Sequence, residues 1–71
     1  MTQELRDYLK EIREGQGLSL RKAGELCGIS HSEIRRIENG SRQEISMIHL
    51  RKLADGYQIP YFRLMKLGKY M

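Results

Sequence analysis

The sequence of 71 residues contains one cysteine, one proline and no tryptophan. Because Cys27 has no second cysteine to pair with, an intramolecular disulfide is impossible, and a reducing compartment is favoured. No apolar run approaches the roughly 20 residues that span a bilayer, and the chain does not open with a signal peptide. We therefore expect a cytoplasmic protein with no membrane partner.

The residue patterns typical of catalysis and of metal binding are missing as well. His31 and His49 lie far apart in the sequence, and neither stands at a zinc-like spacing from Cys27. There is no Ser-His-Asp order, no pair of carboxylates placed for acid–base chemistry and no glycine-rich phosphate loop. We therefore predict no enzyme activity, no metal and no cofactor, and we interpret Cys27 as a small buried hydrophobe.

Length and charge set further limits. A chain of 71 residues is expected to form a single domain over residues 1–71, with a thin hydrophobic core. Its 13 basic and 9 acidic side chains give a net charge of +4. Residues 1–17 carry three basic and four acidic side chains, so the positive excess lies in the rest of the chain. That distribution is compatible with a polyanionic partner, although net charge alone is weak evidence for one.

The first predicted helix covers residues 2–14. Leu5, Leu9 and Ile12 recur there at the spacing of an apolar stripe along one helix face. Gly15 and Gly17 follow the stripe and are expected to stop the helix, since glycine adopts the backbone conformation that ends helices.

Two further helices are predicted in the second half of the chain. Ser46 caps the fourth helix, which is expected to fray at Gly56. The apolar residues predicted to face inward on this helix are Met47, Leu50, Leu53 and Ala54. Pro60 is expected at the start of a short fifth helix, a position that proline favours. Residues 68–71 are predicted to form a frayed end.

Residues 19–40 are predicted to form two short helices joined by a tight turn. Ser19 caps the second helix of the chain, and Gly28 supplies the left-handed backbone that a sharp reversal needs. Gly24 lies in the middle of that helix, where glycine costs roughly 1 kcal/mol relative to alanine. A helix tolerates that cost where another backbone passes close by, so we expect a close approach at Gly24.

The third helix begins at Ser30 and is predicted to present a polar, basic outer face. Ser30 and Glu33 have the spacing of a capping box, and Ile34 and Ile37 face inward. The side chains then placed on or beside the outward face are His31, Ser32, Arg35, Arg36 and Asn39. Such a face is typical of a recognition helix that enters the major groove of DNA.

Several short motifs stand in register along this region. They are Ala23-Gly24, Gly28-Ile29, Ile34, Ile37 and Glu38-Asn39-Gly40. With these motifs the chain resembles, from about residue 9 to residue 64, the phage-repressor-like helix-turn-helix family known as the XRE or Cro/cI type. The resemblance implies an all-α, five-helix lambda-repressor-like fold in which helices 2 and 3 bind DNA. It also implies a transcriptional regulator, in most cases a repressor, that binds an inverted-repeat operator in double-stranded DNA as a homodimer.

The resemblance also implies roles for individual residues. By position, the residues that would read base edges are His31, Ser32, Arg35 and Arg36. An ion pair between Arg13 and Glu38 is implied as well, because many family members pair these positions. The amides and positive dipole end at the start of helix 2 suit phosphate, as does the loop after helix 3. The residues expected to contact phosphate are Ser19, Arg21, Lys22, Asn39, Ser41 and Arg42.

The last helix carries more apolar residues than one side of a short helix can bury. The residues predicted to pair with a second copy of the chain are Ile59, Tyr61, Phe62, Leu64 and Met65. The alternative is that they belong to the core. Leu20 stands where many relatives have a glutamine that contacts phosphate. This departure keeps a second function open, that of a protein-binding adaptor or antitoxin-type partner with weak or no DNA binding. A DNA-binding role would place the protein on the nucleoid.

Overall fold

A computed structural model describes residues 1–70, and over this range the chain contains five α-helices and no strand. The helices are α1 (Gln3–Gly15), α2 (Leu20–Cys27), α3 (His31–Asn39), α4 (Met47–Tyr57) and α5 (Tyr61–Leu67). The all-α architecture with five helices is therefore confirmed. None of these helices is long and apolar enough to cross a membrane.

Hydroxyl side chains determine where four of the helices begin. The oxygens of Thr2, Ser19, Ser30 and Ser46 each accept a hydrogen bond of 3.1 Å from the amide three residues further on. Each bond satisfies an amide that has no partner inside the helix. The predicted caps at Ser19, Ser30 and Ser46 are thus confirmed. Pro60 lies one residue earlier than predicted, at the cap of α5.

The helices enclose one hydrophobic core, to which every helix contributes. Its fully or almost fully buried members are Leu5, Leu9, Ala23, Cys27, Ile29, Ile34, Ile37, Ile45, Leu50, Leu53, Ala54, Tyr57 and Leu64. α2 packs against α3 and α4, and α1 packs against α3 and α5. α3 is therefore held between α1 and α2, and its remaining side stays open to solvent.

The turn between α2 and α3 depends on glycine at two positions. Gly28 has a φ of 71° and donates its amide to the Gly24 carbonyl at 2.9 Å. A Cβ atom on Gly24 would lie 2.6 Å from the Ile29 carbonyl oxygen. The close approach predicted at Gly24 is confirmed, because the chain entering α3 passes directly over it.

Two predictions for α4 are wrong. Met47, predicted to face inward, is exposed, whereas Ile45 in the preceding loop is buried. The helix also does not fray at Gly56 but continues to Tyr57. A Cβ on Gly56 would lie 2.8 Å from the Cα of Cys27, so this glycine lets α4 lie directly against α2.

The chain after α5 is ordered as far as Tyr70, so the predicted frayed end is also wrong over this part. The Tyr70 amide donates to the Met65 carbonyl at 2.9 Å, and the Thr2 hydroxyl donates to the Leu67 carbonyl at 2.7 Å. Gly68 is buried, and a Cβ there would lie 2.7 Å from Cδ2 of Tyr70. Met71, the last residue of that prediction, lies outside the described residues.

An ion pair connects α1 to the last turn of α3. The Nε of Arg13 donates to Oε2 of Glu38 at 2.8 Å, and its Nη2 donates to Oε1 at 3.0 Å. Its Nη1 donates to the Leu18 carbonyl at 2.7 Å, which holds the loop before α2. The two side chains are only 11% and 7% exposed. The hydrogen bond to Glu38 raises the pKa of Arg13 above its ordinary value, so this guanidinium stays charged.

We expect Arg13→Ala to lower the free energy of unfolding by about 3 kcal/mol or more, because it leaves the Glu38 carboxylate buried without its partner. Urea denaturation followed by circular dichroism measures this loss. Glu14→Ala is the matched control, since it removes only the exposed carboxylate that lies 3.9 Å from the same arginine. That variant should stay within about 0.5 kcal/mol of the wild type. Equal stability of the two variants would show that the ion pair contributes little.

Candidate nucleic-acid interface

The open side of α3 carries five polar side chains at helical spacing. Residues 31, 32, 35, 36 and 39 are all exposed, and they fall on one face because a helix repeats every 3.6 residues. Together with Ser41 they line one concave surface. The side chains predicted to read base edges (His31, Ser32, Arg35 and Arg36) are therefore brought together on that surface.

Both carboxylates of α3 are largely buried, with 11% of the Glu33 and 7% of the Glu38 side chain exposed, and both are paired. Glu38 is held by Arg13, and Glu33 accepts a hydrogen bond from the guanidinium of Arg42. The predicted capping box is therefore only half formed. Ser30 caps the amide of Glu33, but the Glu33 side chain binds Arg42 instead. The outer face of α3 is left with its positive charges and without a competing carboxylate of its own.

The two arginines on the outer face are available to a ligand. Within residues 1–70, no carboxylate lies within 4.0 Å of Arg35. Arg36 has only a loose contact, with its Nη1 3.9 Å from Oε1 of Glu33, and its side chain is 60% exposed. Such an exposed and long ion pair contributes little. Either arginine can therefore bind a new partner without first breaking a strong ion pair.

The start of α2 forms a second polar surface beside α3. Ser19, Arg21 and Lys22 are exposed there, and Lys22 has only a distant contact, 3.8 Å from Glu25. The first amides of a helix have no partner within it and lie at its positive dipole end. Arg21 and His31 line one concavity over α2 and the turn into α3, together with Glu25, so the two polar surfaces are continuous.

The loop after α3 continues the same surface. Gly40 ends the helix with a φ of 84°, and the Ser41 amide donates to the side-chain oxygen of Asn39 at 2.9 Å. This bond uses the oxygen of Asn39 and leaves its NH₂ group as a donor. Asn39 and Ser41 are both exposed. Arg42 differs from these two residues because its guanidinium is engaged with Glu33.

Lys10 is a member of this surface that was not predicted from the sequence. Lys10 is exposed on α1 and lines a concavity with Leu20, Arg35 and Asn39. No local pattern marked it, since α1 reaches α3 only through tertiary packing. Leu20, the departure from many relatives, is half-buried and packs against the core.

The apolar residues predicted to pair with a second copy are distributed differently from the prediction. Leu64 is fully buried in the core and is unavailable to a partner, so its assignment to a dimer interface is wrong. Ile59, Tyr61 and Met65 are partly buried against the core. Phe62 alone in this set is strongly exposed, at 57%. Helical periodicity identified the apolar residues of α5 but could not tell which of them face α1 and α4.

Cys27, the one cysteine, is part of the packed core. Burial raises the pKa of Cys27 to about 11, so its thiol stays protonated at neutral pH. Across residues 1–70, no three His, Cys, Asp or Glu side chains come together in a group that could hold a metal ion. The polar surface around α3 is thus the chemically distinctive feature of the part of the chain that the structure describes.

Comparison with known proteins gives the family of the chain. Residues 9–64 match the sequence profile of a family described as helix-turn-helix. The chain is also similar to the HTH-type transcriptional repressor RghR of Bacillus subtilis (strain 168), with 34% identity over 65 residues. The similarity covers 92% of this chain and 48% of that repressor, so the chain spans about half the length of its relative. The chain belongs to the XRE, or Cro/cI, type of the helix-turn-helix family.

Proposed function

We propose that the chain is a sequence-specific DNA-binding module of a transcriptional regulator, acting as a repressor. One observation carries the proposal. Both carboxylates of α3 are largely buried and bound by Arg13 and Arg42, and Arg35 and Arg36 are exposed on its outer face with no carboxylate of the described residues within hydrogen-bond distance. A polyanion is the partner that such a face suits best.

In this proposal α3 lies in the major groove and reads base edges. Arg35 and Arg36 have planar guanidinium groups, which donate two parallel hydrogen bonds to O6 and N7 of guanine. Each such contact contributes roughly 1–3 kcal/mol of discrimination between bases. His31 and Ser32, in the first turn of α3, contact the bases nearest the start of the helix.

Phosphate contacts fix the position of α3 on the duplex. We assign them to the exposed start of α2, to the loop after α3 and to the lysine on α1 that lies beside α3. The residues are Lys10, Ser19, Arg21, Lys22, Asn39 and Ser41. These contacts do not depend on base sequence, so they supply the salt-dependent part of the affinity. Such a regulator works in the cytoplasm, on the nucleoid.

We further propose that two copies bind an inverted repeat. A homodimer presents its two α3 helices about 34 Å apart, so that they enter successive major grooves on one side of the duplex. Phe62 is the exposed member of the proposed interface, and Ile59, Tyr61 and Met65, which are partly buried against the core, are its other proposed members. Ile48 on α4 is a further exposed apolar residue, at 68%. Repression follows where the operator overlaps a promoter.

We expect the double substitution Arg35→Ala/Arg36→Ala to abolish the preference for the operator over a scrambled duplex while leaving the thermal midpoint close to that of the wild type. Both side chains are exposed, and surface substitutions of this kind seldom change stability by more than about 0.5 kcal/mol. The measurement is fluorescence anisotropy with duplexes taken from a selection experiment.

Lys52→Ala/Lys69→Ala is the matched control, because it removes the same charge from exposed positions on α4 and after α5. Because α4 packs against α2 and α5, and the control positions lie outside the proposed DNA-binding surface, the control should retain sequence preference. Wild-type preference in the arginine variant would contradict the assignment of α3 as the recognition helix. A wild-type chain that binds no duplex but captures a protein would favour the adaptor function instead.

We expect Phe62→Ser to shift the chain from dimer to monomer in sedimentation equilibrium, because it removes the most exposed aromatic side chain from the proposed interface. Leu26→Ser is the matched control, since Leu26 is 54% exposed and lies on α2, away from α5. This control should sediment as the wild type does. A wild-type chain that remains monomeric up to millimolar concentration would contradict the homodimer, and a Phe62→Ser variant that still dimerises would place the interface elsewhere.

A further inference from the structure

We propose that Arg42 is a positioning residue, which occupies the Glu33 carboxylate and thereby keeps Arg36 free to contact DNA. The inference rests on the proposed function, since it assigns a role within the same surface. It also removes Arg42 from the set of residues expected to contact phosphate.

The Glu33 carboxylate requires a cationic partner. It lies on the first turn of α3, and its side chain is only 11% exposed. A carboxylate with so little access to water is costly unless a charged donor compensates it. The guanidinium of Arg42 supplies that donor through a direct hydrogen bond to Oε1.

Arg36 is the second cation within reach of the same oxygen. It follows Glu33 by three residues, so the two side chains are neighbours on the helix surface. Its Nη1 lies 3.9 Å from Oε1 of Glu33, beyond hydrogen-bond distance. Both arginines thus approach Oε1 of Glu33. Arg42 is hydrogen-bonded to this oxygen, and Arg36 is not.

The loop after α3 is folded so that Arg42 reaches this position. Gly40 reverses the chain with a φ of 84°, and the Arg42 amide donates to the Arg36 carbonyl at 3.1 Å. The Arg42 backbone is therefore hydrogen-bonded to Arg36. The Arg42 side chain binds the Glu33 carboxylate, which the Arg36 side chain would otherwise bind. The loop, the pair of Arg42 with Glu33 (the clamp) and the α3 surface form one connected unit.

Without Arg42, Glu33 would be left as a nearly buried carboxylate with Arg36 as its nearest cation. Arg36 would then rotate onto Glu33 and leave the outer face. Loss of Arg42 is thus expected to act on DNA through Arg36, and removal of the Glu33 charge should cancel the effect. A phosphate contact made by Arg42 itself predicts no such cancellation.

The test compares Arg42→Met with Glu33→Gln/Arg42→Met, using the wild-type chain as reference. Methionine keeps the apolar stem at position 42, and glutamine keeps the shape of the side chain at position 33. We expect Arg42→Met to lose on the order of tenfold in operator affinity, the size of one lost base contact. The double variant should regain most of that loss, and its salt dependence should match that of the wild type. Thermal unfolding of each variant confirms that it is folded at the temperature of the assay.

Arg21→Met is the control for a lost phosphate contact. It should weaken binding to operator and scrambled duplex alike and reduce the slope of log K against log salt by about 0.9. The proposal is overturned if Glu33→Gln/Arg42→Met binds the operator as weakly as Arg42→Met does and also shows the reduced salt slope of Arg21→Met. Arg42 would then contact phosphate.

A second readout requires no DNA and therefore separates this proposal from the proposed function. Hydrogen exchange at Nε–H of Arg36, followed by nuclear magnetic resonance, reports whether this side chain is paired. Exchange should slow in Arg42→Met and return to the wild-type rate in the double variant. Unchanged exchange in Arg42→Met would overturn the clamp, whereas a wild-type chain that selects no DNA sequence would overturn only the proposed function.

Discussion

The position of α3 depends on the ion pair between Arg13 and Glu38. With nine residues, α3 is too short to be stable as an isolated helix, so its contacts with the rest of the chain hold it in place. Ile34 and Ile37 supply the apolar part of those contacts, and Arg13 binds the last turn through two parallel hydrogen bonds. Such a bond fixes both distance and direction, which non-directional apolar packing does not. The outer face of α3 is oriented because its inner face is held in this way.

Features encoded within a few neighbouring residues were predictable from the sequence. The serine caps, the inward isoleucines of α3 and the glycine turn after α2 follow from helix geometry and hydrogen bonding within four residues. The outward set on α3 follows from the same periodicity. The family motifs then assigned the pattern to a known fold, and the match over residues 9–64 agrees with that assignment.

Features that depend on tertiary packing were not predictable in the same way. Gly56 looked like the end of a helix, yet it is the point where α4 lies against Cys27. Leu64 looked available to a partner, yet α5 turns it into the core. Glu33 was interpreted as a capping residue because the capping pattern is local, whereas its actual partner, Arg42, reaches it only through the folded loop. Lys10 was missed because its neighbour Arg35 lies on another helix.

The most direct test of a sequence-specific α3 surface is selection of bound duplexes from a random library, carried out at low and at physiological salt. We predict enrichment of an inverted repeat whose half-sites lie about 10–11 base pairs apart, because each subunit of a dimer reads one half-site. The same sequence should be enriched at both salt concentrations. Retention of duplexes without any common sequence, lost as salt is raised, would contradict the account and leave only non-specific attraction between a basic surface and phosphate.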